Sequence, residues 1–159
     1  MNKPIHSRKF QVDFYEQDEQ LWRITSRLDD DIHDIRAELE VSAPDMIVRR
    51  AKVEFLRYPL EECLQAPAQM GELVGACLFT DYSERIRRLF LGPSGCPNVL
   101  NLLVNSAPAM IYFYFPDQIK KGKMKPEEWW KMCATSLSNA CLAHQLLAKQ
   151  TAGAGGMRG

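Results

Sequence analysis

The sequence has no surplus of charge of either sign. Its 20 Lys and Arg residues meet 20 Asp and Glu, giving a formal net charge of zero. A chain so balanced lacks the electrostatic footprint of a nucleic-acid binder. The densest basic stretch, Lys120-Lys121-Gly122-Lys123-Met124-Lys125, is short and reads as a solvated loop rather than a surface for an anionic partner. Long apolar runs are also missing. The longest, Ala107 to Phe115, covers about half of a membrane span and contains Pro108. The opening Met1-Asn2-Lys3-Pro4-Ile5-His6 has no apolar core of the kind a signal peptide needs. The expectation is a soluble, cytoplasmic protein. Familiar enzyme signatures are absent too: no glycine-rich phosphate loop, no Cys-x-x-Cys and no His-Glu-x-x-His. Gly92-Pro93-Ser94-Gly95-Cys96 is no nucleophile elbow, because no parallel strand precedes it.

What is present is globular. Hydrophobic residues make up 46% of a 159-residue chain, enough for a core in one domain. The first half has the period-two pattern of strands. Phe10, Val12 and Phe14 alternate with polar residues; Trp22, Ile24, Ser26 and Leu28 follow a polar turn; Ile35, Ala37, Leu39 and Val41 alternate with charges. After a turn at Ser42-Ala43-Pro44-Asp45, Ile47, Ala51, Val53 and Phe55 alternate with Val48, Arg50, Lys52 and Glu54.

The second half has helical spacing. Pro59 suits a first turn, and Cys63, Ala66, Met70, Leu73, Val74 and Cys77 recur behind it, with Pro67 expected to distort the run. Ser83 and Gly92 are the expected caps of a second helix. Cys96 precedes a buried helix through Leu100, Leu103, Val104 and Ala107. Pro126-Glu127-Glu128 opens a last helix carrying Trp129, Trp130, Cys133, Leu137, Cys141 and Leu146, with His144 near its end. The predicted fold is α+β: an antiparallel β-meander of three to four strands followed by helices packed on one face. It fills a single domain over residues 1–150, with a core of about 6–107 and a helical extension over 108–150; residues 151–159 read as a disordered tail.

Four residues could carry chemistry. Cys63 and Cys96 each open a helix, where free N–H groups and the dipole favour a thiolate. His33 shares the parity of Ile35 and Ala37 and is expected to point to the core face; Asp34 points the other way. Brought together, two thiols, an imidazole and a carboxylate suit zinc or iron. Each also has a plain structural role. A cysteine fills core space, a histidine satisfies a backbone group, and an aspartate starts a strand. The odd total of five cysteines speaks against a disulfide framework. Cys77, Cys133 and Cys141 lie on apolar stripes and read as core filling. His6 and Arg8 flank the first strand, on the surface or at the rim of a site. Trp129 and Trp130 cannot both face the core, because helical neighbours point well apart.

His6-Ser7-Arg8, His33-Asp34-Ile35, Tyr58-Pro59 before Cys63, Leu73-Val74-Gly75 and Gly95-Cys96-Pro97-Asn98-Val99-Leu100 resemble the landmarks of a bacterial domain-of-unknown-function family, the one numbered 2889. The resemblance runs from about His6 to Ala107 and implies no established activity. Members more usually carry a Thr-His pair where this chain has Pro97-Asn98, so one imidazole is missing here. The layout is also similar to iron–sulfur cluster assembly scaffolds of the NifU type. That likeness implies that Cys63 and Cys96 match two of three cysteines, with His33-Asp34 in place of a Cys-Gly-Asp segment. With one thiol fewer, a zinc or mononuclear iron site fits better than a cluster.

The expected function is therefore a metal-binding protein of scaffold-like fold, with Cys63, Cys96, His33 and Asp34 as ligands. The alternative is a non-catalytic accessory or interaction module binding a protein partner or a small organic ligand, through the 107–115 apolar segment and the C-terminal helix. A third reading makes Cys96 a nucleophile with His33 as its base.

Overall fold

In the computed structural model, which describes residues 4–154, the chain begins with four antiparallel strands. They are β1 (Lys9–Glu16), β2 (Leu21–Asp29), β3 (Asp34–Ser42) and β4 (Ile47–Arg57), paired in the order β1-β2-β3-β4. The alternation places Trp22, Ile24, Ser26 and Leu28 of β2 and Ile35, Ala37, Leu39 and Val41 of β3 on one buried face. Leu28 lies opposite Ile35, and both are fully buried. Each such side chain contributes about 1.5–3 kcal/mol over leaving it in water.

The expected parity of β4 fails at one point. Leu39 pairs with Ala51 but Val41 pairs with Val48, so β4 carries an extra residue at Arg49 and bulges there; a second register shift lies between Asp34 and Ile35, at the end of β4. The bulge turns Val48 onto the core face, where it is buried, and leaves Arg49 and Arg50 both exposed.

The opposite face of the sheet is a grid of paired charges. Arg50 meets Glu40 at 3.5 Å, Lys52 meets Glu38 at 3.5 Å, and Arg57 meets Asp29 at 3.4 Å. The start of the free edge of β4 is covered by its own chain: Val48 N–H donates to Ala76, Gly75 N–H to Val48, and Leu78 N–H to Met46. Cys77, expected on a helical stripe, is instead extended and bridges Ile47.

The helix expected from Pro59 is a 3₁₀ helix, Glu61–Leu73, burying Ala66, Met70 and Leu73. Pro67 within it has no N–H for an α-type bond. Helix α1 (Tyr82–Phe90) starts one residue before Ser83, the cap expected for it. Asp81 precedes it, and its carboxylate accepts the Cys77 N–H at 2.8 Å. Gly92, just past the Leu91 C-cap, takes φ +102°, as a helix terminator should. Helix α2 (Pro97–Lys120) is 24 residues long and apolar enough by length and composition to cross a membrane. Half of that apolar window is buried inside the protein, as in a core helix.

The chain divides into two compact units with bounds Met1–Ile111 and Tyr112–Gly159, the division falling inside α2. The first holds the sheet, the 3₁₀ helix, α1 and most of α2. The second holds the end of α2 with α3 (Pro126–Ala134) and α4 (Leu142–Ala154). The sequence suggested one helix where α3 and α4 stand. The break covers Thr135 to Cys141, where Thr135, Ser136, Ser138 and Asn139 compete for main-chain hydrogen bonds; Thr135 Oγ1 donates back to Lys131 O at 2.9 Å. His144 consequently sits in the first turn of α4, not at a helix C-terminus, and its position gives no favourable dipole to a cation. Cys141 is exposed rather than core-filling, while Cys133 is buried as expected. Of the expected tail, 151–154 close α4 and the rest lies outside the described residues.

Candidate functional site

The β2–β3 turn is built around Asp30. Its Oδ1 accepts the N–H groups of Ile32 at 2.8 Å and His33 at 2.6 Å, the local turn that a short carboxylate stabilises. This folds the His33 ring back until Nδ1 lies 3.2 Å from the same oxygen. The other oxygen, Oδ2, accepts Nε of Arg8 at 2.6 Å. Arg8 then donates from Nη1 to Oδ1 of Asn98, in the first turn of α2, at 3.1 Å. One carboxylate thus ties together the N-terminal arm, the hairpin tip and the start of α2. His6 sits beside this hub, with Nδ1 2.6 Å from Asp31 Oδ2. His6, Ser7, Arg8, Asp30, Asp31 and Ile32 enclose an open cup of about 310 Å³.

Burial works to raise the Asp30 carboxyl. The N–H groups of Ile32 and His33, then Arg8 and the His33 ring, outweigh it and hold Asp30 well below the ordinary carboxylate range. In the hub Asp30 is a fixed anion that orients one imidazole and one guanidinium.

Each of the four expected ligands has its own local setting. Asp34 begins β3 on the charged face, buried beneath Arg27, whose Nε and Nη2 donate to its two oxygens at 2.8 Å each. That two-pronged bond, against the opposing effect of burial, lowers the Asp34 pKa. His33 is half-buried just before β3 and faces Asp30 rather than the core. Cys63 is half-buried in the 3₁₀ helix, and Cys96 is half-buried immediately before α2. Among the described residues, no three His, Cys, Asp or Glu side chains gather in a way that could hold a metal ion, and no hydrogen bond joins Cys96 to His33. Zinc needs about four such donors in one shell.

Gly95, one residue before Cys96, has a steric reason for being glycine. A Cβ there would stand 2.3 Å from the carbonyl carbon and oxygen of Phe90. The loop before α2 is pressed against the end of α1, and Gln69 Nε2 holds it from the other side by donating to Ser94 O at 2.6 Å.

Sequence reasoning missed Asp30 as the hub. The signal was the spacing of Asp30 three residues before His33, within Asp29-Asp30-Asp31. Nothing in the pattern says which of three adjacent carboxylates turns inward. Asn98, noted only as a departure from a family pattern, proves to be the helix-side anchor of Arg8.

The second unit carries a distinct feature. Trp129 is 7% exposed and stacks on Phe115, with ring centroids 5.5 Å apart and planes at 18°; Tyr112 meets it edge-on at 6.2 Å. Tyr112 also stacks on His144 at 5.7 Å, and His144 Nδ1 lies 3.2 Å from the Leu137 carbonyl. Burial, and then Cys141, push the Cys133 thiol upward. Trp130 points away from this cluster and is 57% exposed. It lines an open groove of about 350 Å³ with Glu127, Lys131, Ala134, Thr135 and Leu147, between α3 and α4. The two adjacent tryptophans therefore divide as the helical turn requires, one inward and one outward.

Among known proteins, a family model described as a protein of unknown function (DUF2889) matches residues 6–112. No curated protein and no solved structure matches the chain.

Proposed function

The chain belongs to the DUF2889 family of proteins of unknown function, whose match ends at residue 112 and leaves α3 and α4 beyond it; from the groove on those helices we propose that it is a non-catalytic interaction module that docks an amphipathic helix of a partner protein. The observation that carries this is the outward Trp130. An exposed tryptophan lining an apolar groove between two helices is the kind of anchor such a mode of binding uses. Leu142, 69% exposed, and Leu146 add unsatisfied apolar surface on α4. Glu127 and Lys131 supply one charge of each sign at the rim, which suits a helix with a mixed polar face.

A metal centre made from Cys63, Cys96, His33 and Asp34 finds less support. Asp34 has both oxygens committed to Arg27, and His33 is turned to Asp30.

The test begins with Trp130→Glu, which leaves the aromatic cluster around Trp129 untouched. Proteins that co-purify with the wild-type chain and not with the variant are then titrated, purified, against both. At least a tenfold weaker Kd for the folded variant supports the reading. Equal affinity for both chains overturns it.

A further inference from the structure

The two edges of the sheet are treated differently. The β4 edge is bulged against its neighbour at two places and its start is covered by residues 75–78. Bulges and covering segments are standard ways to stop a sheet from adding another strand. The β1 edge has neither. Its eight residues pair with β2 without any register shift and contain no proline. Among the described residues, Lys9 to Asp13 make no main-chain hydrogen bond outside the ladder with β2. Phe10, on the core face at this edge, is 46% exposed.

The sequence of this edge is complementary to itself. A two-fold axis perpendicular to the sheet keeps core face with core face, so only residues of equal parity can stand opposite each other. With Val12 on the axis, Phe10 faces Phe14 of the second copy and Val12 faces Val12, forming one apolar row. On the charged face Gln11 faces Asp13 of the second copy, and Lys9 faces Tyr15. The Gln11 amide already donates to its own Asp13 at 2.8 Å and has a second N–H for the opposing carboxylate. Moving the axis one residue to Asp13 sets two carboxylates against each other and Phe10 against Glu16. Moving it back to Gln11 shortens the paired length.

We propose that β1 is a self-association edge, on which a second copy of this chain adds its own β1 antiparallel about Val12, making one continuous sheet through both copies. A second consequence concerns the charged face. A trough of about 350 Å³ crosses all four strands there, and Gln11 and Asp13 line its β1 end. The pairing joins the two troughs end to end across the shared edge. This inference stands apart from the groove on α3 and α4.

Sedimentation equilibrium on the full chain tests it, alongside Phe10→Glu and three single cysteine variants exposed to a mild oxidant that joins only directly opposed thiols as a disulfide, since diagonal neighbours stand too far apart. The expected result is a dimer whose dissociation constant rises at least tenfold in Phe10→Glu. Val12→Cys should crosslink copy to copy through the residue-12 peptide, read by mass spectrometry, while Gln11→Cys and Asp13→Cys should not. The small Val12→Cys change keeps the test valid if Phe10→Glu fails to fold. A wild-type monomer at every concentration overturns the proposal. So does a dimer that crosslinks through Gln11→Cys or Asp13→Cys but not Val12→Cys.

Discussion

Arg8 and Asp30 meet at 2.6 Å through Nε and Oδ2, joining the segment before β1 to the tip of the β2–β3 hairpin. The pair is lopsided in exposure, 42% for the Arg8 side chain and 10% for that of Asp30. Removing the exposed partner is the milder change. Arg8→Ala should cost about 1 kcal/mol, since the guanidinium is screened by water. Asp30→Ala should cost about 2 kcal/mol, because it leaves the Ile32 and His33 N–H groups and Arg8 without their acceptor. Urea titrations of both variants check the order. An Arg8→Ala loss larger than that of Asp30→Ala would show that the turn is not centred on the carboxylate.

Acid stability follows from the same carboxylate and two others. Asp30, Asp34 and Asp81 are all held below the ordinary value of 3.8. The folded state then binds fewer protons than the unfolded one over this range. The stabilisation is complete above the unfolded carboxyl value and is lost as pH falls below it through the folded values. Denaturation midpoints should therefore drop steeply below about pH 4. Asp30→Asn should start lower near neutral pH and fall less steeply in acid. An unchanged acid slope in that variant would remove Asp30 from the account.

Gly95 and Gly71 form a matched pair of tests. Gly95→Ala forces a methyl group into the Phe90 main chain, which cannot yield as a side-chain tip can. We expect a loss of about 2–3 kcal/mol. Gly71→Ala meets nothing within 4 Å and should be neutral or stabilising by up to about 1 kcal/mol. Thermal melts of the two variants decide the matter, and similar Tm values would refute it.

A metal site built from the cysteines, His33 and Asp34 has its own test. Protein purified anaerobically without a metal-affinity tag should contain well under one zinc or iron per chain, with no change in Cys63→Ala/Cys96→Ala. Stoichiometric metal that vanishes in the double variant would restore a Cys63/Cys96 site.

The strands could be read from the chain because burial on one face writes a period of two. Ile35, Ala37, Leu39 and Val41 all proved buried. Val48 could not be read, because a single inserted residue reverses the parity without changing composition. The break between α3 and α4 was hidden for a similar reason: Cys133, Leu137 and Cys141 keep an apolar spacing across a segment whose polar neighbours end the helix. Trp129 and Trp130 were separable from geometry alone. The hub was not, since Arg8 and Asn98 stand 90 positions apart and only the fold introduces them.

The outer face of the sheet pairs its ions at short range, Arg27 with Asp34 at 2.8 Å and Lys52 with Glu38 at 3.5 Å, in a chain whose formal charge is zero. Opposite charges set so close cancel each other's far field within a few diameters of the pair. This face of the sheet is then a weak long-range attractor of either sign, and any association through it should run at about the unassisted 10⁵–10⁶ M⁻¹s⁻¹ and change little with added salt.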